Sequence, residues 1–286
     1  MPNYVSADAL LADARLRLDA LGADVGILVV EGPDDKRLFY GRALNPAQVL
    51  PTGGRGLLLA SYEAASTADL NRILFITDCD YAVRAGELTG GHGLVITSGT
   101  DVESDLLALG LLPKIVTEIV PSALPANRVE YIANDALKLA TALALPVGRV
   151  RMAARPLGVD LEFDQLDFSK YWRRGRSNLN VDKLMQVTGA RLRASGCNAD
   201  LGELVRKMPS DNGMCHGKDL LSALRTVLIQ EHRVDNKVTA DLLGVMLRLV
   251  LDDVRFEQWK VVERIRAWEA KTSANILRGP NGATLA

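Results

Sequence analysis

Apolar positions change their spacing along the chain, and the changes mark out its elements. Leu10, Leu11, Ala14, Leu18 and Leu21 recur at helical spacing, which predicts a helix over 6–21 with Ser6 as N-cap. Val25-Gly-Ile-Leu-Val-Val30 is instead a continuous, β-branched apolar run ending at Glu31-Gly32, the profile of a strand buried on both faces of a parallel sheet. Pro33 opens a helix from Asp34 to Ala43. Gln48-Val-Leu50 is a short strand leading into the loop Thr52-Gly-Gly-Arg-Gly56 and a helix to about Thr67. Arg72-Ile-Leu-Phe-Ile-Thr77 is a second apolar strand, running straight into Asp78-Cys-Asp80. Leu94-Val-Ile-Thr97 is a third, followed by a polar turn and a helix from about Val102 to Leu109. Strands alternating with helices over 25–110 predict a doubly wound α/β sheet.

After Pro113 the pattern shifts. Short strands are expected near 115–120 and 148–163, and helices over 129–145, 180–195, 198–208, 217–232 and 236–270. The tail from Gly279 to Gly282 is expected to fray. Neither a repeat nor a low-complexity linker interrupts the chain, and the boundary falls near residue 122, dividing it into 1–121 and 122–286. The last helix carries an apolar stripe (Leu242, Val245, Leu249, Val254, Trp259, Val262, Ile265) that reads as core, with a share open to a homodimer interface.

Composition narrows the function classes. With 48% hydrophobic residues, a sizeable core is within reach, and only 5% aromatics argues for helices packed on a sheet over an all-β fold. The net charge of −1 excludes wholesale polyanion binding, so any nucleic acid must meet a local basic patch. Cys79, Cys197 and Cys215 form no CxxC pair and read as reduced thiols of a cytoplasmic protein. The N-terminus mixes acids and arginines, unlike a signal peptide. Apolar runs stop well short of ~18 residues, so no membrane span is expected.

Carboxylates collect where the strands end. Glu31 follows the first strand, Asp78 and Asp80 follow the Arg72–Thr77 strand, and Asp101, Glu103 and Asp105 follow the Leu94–Thr97 strand. Open parallel sheets bind ligands beyond the carboxyl ends of their strands. In an extended segment residues i and i+2 share a face, so Asp78 and Asp80 can aim at one point. Clustered carboxylates repel one another unless a hard divalent cation lies between them. Each acid alone is ordinary, as a strand-end aspartate or a helix cap; it is their joint placement that suggests a metal site.

These motifs carry a resemblance. Val30-Glu31-Gly32 with Asp35-Lys36, then Ile76-Thr-Asp78-x-Asp80, resembles the Toprim domain, the catalytic fold of type IA and II topoisomerases, bacterial primases and nucleases of the overcoming-lysogenisation-defect family. Gly53-Gly54, Thr100 to Leu107 and His216-Gly-Lys-Asp219-Leu-Leu221 are similar to a bacterial Toprim-like family of phage-defence loci, which includes the effector of the PARIS system. The likeness spans roughly 25–107, with a vaguer match at 216–221. It implies a Toprim-like catalytic domain over 1–121 and a mainly helical module over 122–286 for substrate, partner or dimer contacts. It implies a nuclease that uses Mg²⁺ or Mn²⁺ on RNA (tRNA included) or DNA, with a separate ATPase as a partner in antiphage defence. Glu31, Asp78, Asp80, Glu103 and Asp101 would hold metal, Glu31 doubling as general base. Lys36 would neutralise phosphate charge, its rival reading being a solvated helix lysine. Residue 82, often a third acid in Toprim proteins, is Ala here, so a third acid must come from Glu103 or Asp101.

Other segments are weaker. The loop around Arg55 could cradle a phosphate but lacks the Lys-Ser/Thr of a Walker motif. Cys215-His216 has no second ligand pair at zinc spacing, which leaves His216 and Lys218 as expected phosphate contacts. Residues 149–176 carry seven basic and four acidic side chains, and Lys170-Tyr-Trp-Arg-Arg-Gly-Arg176 interleaves cations with aromatics. Arg173, Arg174 and Arg176 are therefore expected on a nucleic-acid backbone, against the plainer reading of a solvated loop. A rival for the whole chain is a non-catalytic adaptor docking on an ATPase. A primase-like or topoisomerase-like enzyme would need zinc-binding or strand-passage modules that the sequence lacks.

Overall fold

The computed structural model describes residues 4–68, 70–121, 124–159, 163 and 166–279. In chain order its elements are α1 (Ala7–Leu21), β1 (Ile27–Val30), α2 (Pro33–Phe39), β2 (Val49–Pro51), α3 (Arg55–Thr67), β3 (Ile73–Thr77), β4 (Leu94–Ile96), α4 (Val102–Ala108), α5 (Leu112–Ile119) and α6 (Ala126–Ala154). They continue with α7 (Val181–Ala194), α8 (Leu201–Arg206), α9 (Gly217–Gln230), α10 (Ala240–Val250), α11 (Asp253–Glu257) and α12 (Lys260–Thr272). The fold is α/β, with a four-stranded, all-parallel sheet in the order β2-β1-β3-β4 and a mostly helical remainder.

The alternation of side chains sorts each strand between two layers. Ile27, Val29, Ile73, Phe75, Leu94 and Ile96 share one core with Leu10, Leu11, Ala14 and Leu18 of α1 and Leu58 and Ala65 of α3. Leu28, Val30, Leu74 and Ile76 are buried too; α2 packs against β1 and β2, and α12 along β4. Phe39 of α2 stacks on Trp259 at 6.1 Å between ring centroids and meets Phe256 edge-on at 6.0 Å. Ser6 caps α1 as expected, its Oγ accepting from Ala9 N at 3.2 Å.

The chain divides into two compact units, Met1–Asp105 with Leu251–Ala286, and Leu106–Val250. This differs from the division at 122 at both ends. The final helices return to the sheet: Gly26 N donates to Asn275 O at 3.0 Å, Asn275 N to Asp24 O at 2.7 Å, and Gln48 Nε2 to Asn275 O at 2.8 Å. Buried Glu269 accepts from the backbone N–H groups of Ile276 and Leu277, both at 2.7 Å, which fixes that segment under α12. In the other unit α5 packs on α6, and α6 packs on α8 and α9.

Three element expectations are corrected. The β-branched stretch near 115–120 is helix α5, with Leu112, Ile115 and Val116 buried on one face and Pro113 in its first turn, where a missing N–H costs nothing. Residues 148–154 continue α6 through Pro146, so no strand begins at 148; 160–162, 164 and 165 lie outside the described residues. The expected helix over 236–270 is three, because Asp252 caps a new start, its Oδ1 accepting from Arg255 N at 2.7 Å, and Trp259 N-caps α12. Within the stripe, Trp259, Val262 and Ile265 are core, whereas Leu242, Val245, Leu249 and Val254 are exposed. The tail from 280 onward lies outside the described residues. Among the described residues no helix is long and apolar enough to cross a membrane.

Candidate active site

β1, β3 and β4 lie side by side and end at the same edge, so parallel pairing alone brings Glu31, Asp78, Asp80 and the turn before α4 together. From β1 the chain passes to β2 on one side and later to β3 on the other. The switch therefore lies between β1 and β3, where open α/β sheets form a ligand crevice. Glu31 and Asp78 flank it.

Each acid is held by backbone. Glu31 Oε1 accepts from Asp78 N at 2.9 Å and from the Thr77 hydroxyl, tying the ends of β1 and β3. Asp78 Oδ1 accepts from Val102 N at 3.2 Å, in the first turn of α4. Asp80 has a φ of +44°, a left-handed conformation that aspartate tolerates better than most residues, and its N–H donates to Thr100 O at 2.6 Å. Its Oδ2 meets Arg55 Nη1 at 2.5 Å. Arg55 begins α3 directly after Gly53 and Gly54, whose φ values of +87° and +150° suit only glycine. Asp101 and Ser104 cap α4 reciprocally: Ser104 N donates to Asp101 Oδ1 at 2.9 Å and Asp101 N to Ser104 Oγ at 3.1 Å.

Electrostatics shows how tightly the acids converge. Burial raises Asp78 well above the ordinary carboxylate range, and Asp101, Asp35, Glu31 and Asp80 push it further. Asp35 rises to about 7, first through burial and then through Glu103, Glu31 and Asp34, although Gly32 N–H donates to its Oδ2 at 2.8 Å and favours the carboxylate. Asp35 was not among the expected site residues. The signal for it was local: an acid in the first turn of a helix that begins right after a strand-end glutamate.

Two other expectations change in detail. Asp105 is structural; it is buried and accepts from Ser98 N at 3.1 Å, Gly99 N at 2.5 Å and Trp259 Nε1 at 2.8 Å, which anchors the turn before α4. A Cβ at Gly99 would fall 2.4 Å from Ser104 Oγ, so a larger residue there would displace the hydroxyl that caps α4. Lys36 is half-buried, and burial followed by the charge of Arg17 lowers its pKa, which relates it to α1. Arg173, Arg174, Arg176, His216 and Lys218 all belong to the helical unit. There His216 N-caps α9, Lys218 is exposed, and Asp219 is buried against Arg151 at 2.8 and 3.0 Å.

Among the described residues, no three His, Cys, Asp or Glu side chains form a group that could hold a metal ion as they stand. The donor chemistry nonetheless fits a hard cation. Mg²⁺ keeps several waters and uses one or two carboxylates, and a cation would offset the burial and mutual repulsion that raise Asp78 and Asp35. The chain matches no protein-family model and none of the curated proteins compared with it.

Proposed function

We propose that the sheet unit is a Toprim-type site that cleaves phosphodiester bonds in nucleic acid with Mg²⁺ or Mn²⁺, as an effector nuclease of antiphage defence. The observation that carries this reading is the gathering of Glu31, Asp35, Asp78, Asp80, Asp101 and Glu103 at the shared edge of β1, β3 and β4, where burial first and the neighbouring acids second raise Asp78 and Asp35. Glu31 and Asp78 would hold the cation, with Asp80, Asp101 and Glu103 around it. When bound, the cation would supply Lewis acidity and lower the pKa of a water. The chain's own groups do the rest. Glu31 is fixed by Thr77 and Asp78 N so that its second oxygen keeps one orientation. Asp35, protonated up to about 7, can carry a proton at its carboxyl in the same cleft. Arg55 is held on Asp80 and can exchange that partner for a substrate phosphate.

Purified protein should cleave an RNA or a DNA pool with Mg²⁺ or Mn²⁺ and not in EDTA. Asp78→Asn and Glu31→Gln, which keep a hydrogen-bond acceptor in place, should each lower the rate by at least ~10²–10³-fold. Wild-type rates in either variant, or equal cleavage in EDTA, would overturn the assignment. Metal binding without cleavage of either pool would favour the adaptor reading.

A further inference from the structure

The helical unit contains a broad open cavity of about 1060 Å³, walled by Ala142 and Pro146 of α6, by much of the segment 169–181, and by Asp182 and Lys183 of α7. Its wall is set by Trp172, which is buried and donates from Nε1 to Arg176 O at 2.5 Å, closing the Arg173–Arg176 turn. The closure separates the three arginines. Arg174 leaves the cavity and pairs with Glu231 at 3.5 Å, while Gly175 N donates to the same carboxylate at 2.5 Å. Arg173 and Arg176 line the cavity, exposed and with no ion pair or side-chain hydrogen bond among the described residues. Lys183 Nζ stands 5.7 Å from the Tyr171 ring centroid, and Asn178 lies on the same wall with its amide unused among the described residues.

We infer that this cavity binds a single-stranded segment of nucleic acid, with phosphates on Arg173 and Arg176 and a base against Tyr171. Several spaced cations around one concavity suit a ligand with several spaced negative charges. The volume lies at or above the ~300–1,000 Å³ of small-molecule pockets, so a lone phosphate would leave it mostly empty. A half-buried aromatic beside a lysine and an available amide is the chemistry that takes an unstacked base. A duplex keeps its bases stacked inside, so it could offer this cavity phosphates but no base for Tyr171. Pro146 supports a polar ligand as well, since it cannot donate to the Ala142 carbonyl, and both residues line the wall.

The ligand class rests on the proposed function, but the cavity can be tested without catalysis. Labelled oligo-U, oligo-dT and a duplex of equal length are titrated by fluorescence anisotropy against the full-length Asp78→Asn protein in EDTA. Both single strands should bind more tightly than the duplex; tighter oligo-U would assign the site to RNA and parity to the backbone. Arg173→Ala and Arg176→Ala should each weaken binding about tenfold and flatten the salt slope by roughly 0.7. Tyr171→Leu should weaken binding at an unchanged slope, and Arg174→Ala should do neither. Equal losses from all three arginine variants, no loss from any, or preference for the duplex would overturn the inference. If the binding pattern holds and no pool is cleaved, the cavity stands and the nuclease reading falls. If the pools are cleaved while Arg173→Ala and Arg176→Ala bind with wild-type affinity, the nuclease reading stands and the cavity falls.

Discussion

Asp35 and Asp78 sit in a conflict that the fold maintains at some cost to itself. Backbone N–H groups favour their carboxylates, while burial and neighbouring acids favour the neutral form and prevail. Because the folded-state values lie above the ordinary 3.8, the folded protein binds more protons than the unfolded chain from about pH 4 upward, to about 7 for Asp35. Stability should therefore fall as pH rises through that window. Calorimetry in EDTA should show a lower melting temperature at about pH 8 than at about pH 5. Asp78→Asn, which keeps the acceptor for Val102 N, should reduce that slope and melt higher than wild type at the upper pH, and Mg²⁺ should then raise its melting temperature less than that of wild type. A slope unchanged by both Asp78→Asn and Asp35→Asn would mean that the acids are not desolvated together. Glu31 and Asp78 follow directly on the ends of β1 and β3, and Asp80, Asp101 and Glu103 lie in the turns just beyond β3 and β4, so their placement at one sheet edge could be read from the strand pattern alone. Asp35 carried only the local signal of an acid in the first turn of α2, and its weight shows once burial and the nearby Glu103 and Glu31 are in place.

Elements were legible where burial leaves one periodicity. Ile27–Val30 and residues 73–76 are apolar throughout because both of their faces are covered, and no helix of that length would need such a run. Ile115 and Val116 misled because β-branched residues favour strands locally, whereas packing on α6 decides the outcome. The His216–Leu221 motif is partly explained by packing. Asp219 of α9 takes both guanidinium contacts from Arg151 of α6, whose guanidinium also lies 4.9 Å from the Phe163 ring centroid. Arg151→Met should cost about 3–5 kcal/mol in urea unfolding, because it strips this partner from a buried carboxylate. Arg151→Met combined with Asp219→Leu should recover most of that loss, since it removes the stranded charge as well. A double variant as unstable as the single one would show that the ion pair does not dominate the α6–α9 contact.

At the scale of the whole molecule, the sheet unit is assembled from both ends of the sequence, and this was hidden because the closing helices carry ordinary helical periodicity. Nothing in 251–279 announces that Trp259 will donate to Asp105, or that Asn275 will extend the hydrogen bonding beside Val25. Removing 251–279 deletes Phe256, Trp259, Val262, Ile265 and Trp268, each of which is buried, and uncovers the side chains they pack on, Phe39 among them. At about 1.5–3 kcal/mol per large apolar side chain, that loss rivals the whole ~5–15 kcal/mol stability of a domain. A fragment ending at residue 121 should therefore show no cooperative thermal transition, although it contains every strand and every acid of the site. A chain joining 1–105 to 251–286 through a Gly/Ser linker should regain one, and 106–250 alone should melt cooperatively as a continuous unit. Circular dichroism melts of the three proteins decide the matter. Cooperative unfolding of the 121-residue fragment would show that the C-terminal helices are an accessory to the sheet, and its absence there, with recovery in the linked chain, would show that they complete its core.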